Sequence, residues 1–117
     1  TATMLFEEEG ILCVVSKKGP VRTPEIIKET LESFNLHAGE RKICMLIDVS
    51  EISEISREGR EYVAEVFPKI FKAIAMVSGS AFGKMIANLF FTIKTQPYPT
   101  KMFTNEHEAR EWLRQYL

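Results

Sequence analysis

Lys42 to Gly59 reads KICMLIDVSEISEISREG, passing from a wholly apolar strand through a polar loop into a helix. Ile43, Cys44, Met45, Leu46 and Ile47 form a continuous apolar run that stops at Asp48. The run is too short for a buried helix and reads as a central strand covered on both faces. The consequence is an α/β sheet with this strand in its middle. Ser50, Glu51, Ser53, Glu54 and Ser56 supply the loop, and the following helix carries Val63, Val66, Phe67 and Ile70 on one face. In open α/β sheets, ligands and partners gather at the carboxyl ends of the strands. A site in this chain is therefore expected to touch Asp48 to Ser56.

Upstream, Met4 to Glu8 and Ile11 to Ser16 are β-prone runs on either side of Glu9-Gly10, the pattern of a hairpin with glycine at its corner. Glu7, Glu8 and Glu9 alternate in direction along a strand, so they read as a solvated edge and not as metal ligands. Thr23-Pro24-Glu25 gives an N-cap, a proline in the first turn and an early acid. Ile27, Leu31 and Phe34 form the stripe of that helix, which is expected to end near Gly39. Downstream, Ser56 caps a helix to about Lys69, with Glu65 and Lys69 paired one turn apart and Pro68 at its end.

Ala73 to Val77 is the next strand, and Ser78-Gly79-Ser80 turns it into a third helix running to about Ile93. Its core stripe is Phe82, Met85, Ile86, Leu89, Phe90 and Ile93, yet Ala81, Ala87 and Phe91 extend the apolar surface beyond one face. Gln96-Pro97-Tyr98-Pro99 ends it. Lys101 to Phe103 is a last short strand, and Asn105 with Glu108 opens a final helix that places Ala109, Trp112, Leu113 and Tyr116 on the sheet. Trp112 is expected to anchor that helix in the core together with Phe103. The order is β-β-α-β-α-β-α-β-α, a single α/β domain over residues 1–117 with about five strands in a mixed, mostly parallel sheet and four helices.

At 117 residues and 45% hydrophobic, the chain matches one globular unit that folds without metals or disulfides. Fifteen Lys plus Arg against sixteen Asp plus Glu leave a net charge of −1, without the basic excess that nucleic acid binding requires. Cys13 and Cys44 each lie inside an apolar run and read as small buried thiols in a reducing compartment. No apolar run reaches the roughly 20 residues of a transmembrane helix. A cytoplasmic protein is expected, and because the chain opens on Thr1, a short trimmed leader is expected with it.

The alternation of elements, and above all Ile47-Asp48-Val49-Ser50-Glu51-Ile52 continuing to Ile55-Ser56-Arg57-Glu58-Gly59, resembles the STAS domain. That family includes bacterial anti-sigma-factor antagonists and the cytoplasmic ends of sulfate transporters. Aligned on Gly59, the position of the antagonists' phosphorylated serine falls on Arg57 and its preceding aspartate on Ser56. The resemblance thus implies the fold and a binding role, with the usual phosphoserine switch missing at its place. From Met76-Val77-Ser78 through Pro99-Thr100-Lys101-Met102-Phe103 to Ala109-Arg110-Glu111-Trp112-Leu113, the second half is similar to a branch of uncharacterised bacterial STAS-like proteins. The wider fold also resembles lipid-carrying CRAL-TRIO domains.

Gly79-Ser80-Ala81-Phe82-Gly83-Lys84 has the strand-to-helix context of a phosphate-binding loop. It has one residue too few between its glycines, and Met85 stands where that loop needs Ser or Thr. A weaker anion site with Ser78, Ser80 and Lys84 at the helix start stands beside ordinary capping as its rival. His37 and His107 lack the spacing of metal ligands. No Ser or Cys has a sequence-evident base, and Glu51, Glu54, Glu58 and Glu61 read as a solvated face, so neither a catalytic residue nor a cofactor is expected.

Three readings follow. The first is a non-enzymatic regulatory module that binds a protein through Asp48, Ser50, Ser56 and Arg57 on one loop and Ser78, Ser80 and Lys84 on the loop beside it. The second is a carrier or sensor of an apolar, lipid-like ligand, resting on Phe82, Phe90, Phe91 and Tyr98; the same surface would alternatively join a homodimer. The third is a small enzyme, for which no constellation is aligned.

Overall fold

The computed structural model describes residues 3–8, 10–37, 39, 41–51, 54–79, 81, 85 and 98–117. Five strands, β1 (Thr3–Glu8), β2 (Ile11–Ser16), β3 (Ile43–Asp48), β4 (Phe71–Val77) and β5 (Thr100–Phe103), form one sheet in the order β1-β2-β3-β4-β5. β1 runs antiparallel to β2, and every other neighbouring pair is parallel. The apolar run from Ile43 is therefore the middle strand, as its lack of alternation requires. Gly10 takes the hairpin corner with φ 81, where a side chain would be strained.

Helix α1 (Pro24–Ser33) starts on Thr23, whose hydroxyl accepts from the Ile26 amide at 3.3 Å. It stops earlier than Gly39. Asn35 at φ 56 turns the chain out of the helix, and the Leu36 amide closes back on Leu31 O at 2.9 Å. Helix α2 (Arg57–Val66) is capped by Ser56, and Pro68 lies in the 3-10 turn that follows it (Phe67–Lys69). Helix α3 (Glu106–Leu113) is capped by Asn105, whose Oδ1 accepts from the Glu108 amide at 2.9 Å. These are the three α-helices bounded among the described residues. The helix expected from Ser80 to Ile93 lies outside them except at Ala81 and Met85, which are helical. Met85, assigned to the core stripe by its spacing, is 51% exposed and shares that outward face with exposed Ala81 one turn earlier.

Each face of the sheet carries its own core. Leu12, Val14, Met45, Ile74 and Met76 face α1 and α2, meeting Ile27, Leu31 and Val63. Both helices cross between adjacent parallel strands stepping the same way, and right-handed crossovers then place them on one side. Ile11, Cys13, Cys44, Leu46, Ala73, Ala75 and Val77 face the other way, toward Ala109 and Leu113 of α3. Phe71 and Ala73 belong to opposite cores although two residues apart, because the register slips between Ile43 and Cys44 and Lys72 is extra. The small side chains of Ala73, Ala75 and Ala109 leave room for α3 on β4. Trp112 contacts Phe103 with ring centroids 5.7 Å apart, but it is only half-buried; the wholly buried residues of α3 are Ala109 and Leu113.

Candidate functional site at the carboxyl edge of the sheet

β2, β3 and β4 are parallel, so their carboxyl ends open on one edge. The loops after β3 and β4 lie side by side there, as adjacent parallel strands dictate. Asp48 Oδ1 accepts from the Ser50 amide at 2.9 Å, an Asx turn that folds the loop back at the strand end. Ser50 Oγ in turn accepts from the Gly79 amide at 3.0 Å, tying the two loops together. The Val49 amide donates to Val77 O at 2.8 Å, and the Ser78 amide to Phe103 O at 3.2 Å, so the ends of β3, β4 and β5 are laced in series.

Ser56 and Arg57 take different roles. Ser56 Oγ accepts from the Gly59 amide at 2.9 Å, so its hydroxyl is the cap of α2. The Arg57 side chain is 81% exposed and pairs with Glu61 at 3.4 Å, a contact worth well under about 1 kcal/mol at such exposure. Ser78 is wholly buried, so it shapes its loop from within and the exposed residue there is Gly79. Ser80 and Lys84 lie outside the described residues, as do Phe82, Phe90 and Phe91. Tyr98 lies in the core beside α1 and α2 and not on an open apolar patch. Its hydroxyl is closed off without a hydrogen-bond partner among the described residues, and burial pushes its phenol far above the usual tyrosine value. Burial likewise raises the Cys44 thiol, with Lys72 opposing in part. Cys13 and Cys44 are buried thiols with no disulfide among the described residues.

The loop between β2 and α1 joins the same edge, which spacing alone did not indicate. Arg22 and Ile55 form a parallel bridge: the Arg22 amide donates to Glu54 O at 2.8 Å, and the Ser56 amide donates to Arg22 O at 3.0 Å. The approach is so close that a Cβ on Gly59 would stand 2.5 Å from Arg22 O. Lys17 adds an ion pair to Glu51 at 3.4 Å. Nothing local in Gly19-Pro20-Val21-Arg22 announces this bridge, because its partner lies on another loop. Among the described residues, no group of three or more His, Cys, Asp or Glu side chains is placed to hold a metal ion, and no helix is long and apolar enough to cross a membrane.

A five-stranded mixed sheet with α1 and α2 on one face, α3 on the other and its loops gathered at the carboxyl edge is a STAS-like architecture. The chain belongs to the family described as Domain of unknown function (DUF7793), whose model matches residues 4–117. Among solved structures it is similar to an uncharacterized protein of the DUF3478 family with a SpoIIAA-like fold from Shewanella loihica PV-4. That match has 21% identity and a TM-score of 0.59, covering 96% of this chain and 92% of that one, and it bears on the fold alone. A protein with unknown function from Arthrobacter sp. fb24 matches at 28% identity over 95% of this chain and 98% of that one, with a TM-score of 0.35. No curated protein matches the chain.

Proposed function

We propose that this chain is a non-enzymatic, STAS-like regulatory module of the cytoplasm that binds a protein partner through the carboxyl edge of its sheet. The observation that carries the reading is the Ser50 to Gly79 hydrogen bond at 3.0 Å, which makes one surface of the loops after β3 and β4. Glu51, Glu54, Arg57 and Gly79 are exposed along it. Their backbone is held by the Asx turn at Asp48, the cap at Ser56 and the Arg22 bridge. A surface ordered before binding loses less conformational entropy when a partner docks. The phosphoserine switch of the antagonists is absent from its usual place, where Arg57 puts a fixed positive charge.

The test is affinity capture from the native cell with wild type, Arg57→Glu and, as a control beyond this edge, Gln115→Arg. A partner retained by wild type and Gln115→Arg but lost by Arg57→Glu supports the reading. A partner retained by all three places the interface elsewhere. Phosphopeptide mapping after incubation with cell extract and ATP checks the switch, and stoichiometric phosphate on Ser56 would mean that it had moved by one residue.

A further inference from the structure

We propose that Arg22 is the cationic wall of a small oxyanion site at the carboxyl edge of the sheet, where the loops after β2 and β3 meet. Arg22 is only 9% exposed, yet its hydrogen bonds leave most of the guanidinium unused. Nη2 donates to Lys17 O at 3.1 Å and, at the long distance of 3.4 Å, to the buried Ser16 hydroxyl. Nε is closed to solvent and has no hydrogen-bond partner among the described residues.

Charge makes the case sharper. Among the described residues no carboxylate pairs with Arg22. The described acids along this edge are committed or exposed, Asp48 to the Ser50 amide and Glu51 to Lys17, with Glu54 and Glu58 in solvent. Burial therefore acts on this guanidinium without compensation and pulls it below its usual value, though an arginine stays charged at any physiological pH. A buried cation without a counter-charge is among the costliest arrangements a fold retains.

The open positions have the geometry of a ligand. Nε and Nη2 form the side-on fork of a guanidinium, whose two parallel N–H groups match two oxygens of a carboxylate or phosphate. Here that fork is empty at Nε and weakly held at Nη2. An oxyanion seated on it neutralises the charge, fills Nε and replaces the long Ser16 contact, leaving the Ser16 hydroxyl free to donate to the anion. The exposed 18–21 segment leads back to Arg22 from solvent and is the part that shifts to admit it. This site is separate from the Ser78, Ser80 and Lys84 helix start considered from the sequence, and it does not depend on a protein partner.

Thermal melts and amide NMR titrations with inorganic phosphate and with sodium acetate, each against sodium chloride at matched ionic strength, test the site and tell the two oxyanion classes apart. Wild type is expected to show a saturable rise in Tm of roughly 4 °C or more at tenfold the dissociation constant of the bound anion. Amide shifts should centre on Ser16, Lys17 and Arg22. Arg22→Met should lose the response while melting, without oxyanion, no lower than wild type. No saturable response to either anion in wild type, or the same response in Arg22→Met, overturns the proposal. Should Arg22→Met fail to fold, the wild-type shifts decide: saturable shifts centred on those three amides support the site, and absent or dispersed shifts overturn it.

Discussion

At the scale of single residues, Gly59 sets two physical effects against each other. Helix propensity favours alanine over glycine in a helix by about 1 kcal/mol. The contact opposes it, because a Cβ would lie 2.5 Å from Arg22 O, and a backbone atom cannot swing aside as a flexible side chain can. Overpacking typically costs about 1 to 3 kcal/mol, and the contact is expected to win. Gly59→Ala should lower the urea midpoint, and a higher midpoint would mean that the Arg22 bridge yields easily. Tyr98 gives the opposite prediction. Its hydroxyl is buried without a partner among the described residues, so Tyr98→Phe should be neutral or stabilising by about 1 kcal/mol. The same burial raises the phenol from its ordinary 10.0 in the folded state. Below pH 10 both folded and unfolded chains hold this proton, and Tyr98 adds no pH dependence. Above it the unfolded chain releases the proton first, so stability falls as pH rises, by up to about 1.4 kcal/mol per unit. Urea midpoints measured from neutral to alkaline pH should therefore decline less steeply in Tyr98→Phe.

At the scale of elements, α3 shows how a partly buried aromatic and fully buried smaller side chains share the docking of one helix. Trp112 is half-buried in a ring cluster, 5.7 Å from Phe103 and 5.1 Å from Tyr116 between centroids. Leu113 and Ala109 have no exposed surface and take the places against β4. Truncating a fully buried leucine costs about 2 to 5 kcal/mol, whereas the incomplete burial of Trp112 brings its loss to the bottom of the buried-aromatic range, about 3 kcal/mol or less. Leu113→Ala should thus destabilise more than Trp112→Ala in urea titrations. The reverse order would show that the ring cluster, not the leucine, docks α3.

At the scale of the whole molecule, neither core can be lost alone. Successive residues of β2 and β3 alternate between the two layers, so Leu12 and Val14 face α1 and α2 while Ile11 and Cys13 face α3. Releasing one layer exposes the strands that hold the other. A single cooperative transition is expected. Trp112 fluorescence, which reports the α3 side, and far-UV circular dichroism, which reports all helices, should give coincident urea curves. An earlier fluorescence transition would show that α3 detaches as a unit.

The sequence by itself determined what depends on neighbours along the chain. The apolar run from Ile43 made β3 central, and Thr23, Ser56 and Asn105 marked the helix starts, each through a hydrogen bond spanning three residues. The side-by-side loops after β3 and β4 followed from parallel order, so the place of Asp48 and Ser50 at the carboxyl edge of the sheet was legible. Tertiary structure decided whatever depends on residues distant in the chain. The Arg22 bridge to Ile55, the closeness that requires Gly59, the incomplete burial of Trp112 and the burial of Ser78 and Tyr98 were not written in any local pattern. A helix face shows its period in sequence, but the depth to which each residue sinks is set by the surface packed against it, as exposed Met85 shows. Hydrophobic periodicity is a property of one element; burial and the pairing of a charge are properties of the elements that meet.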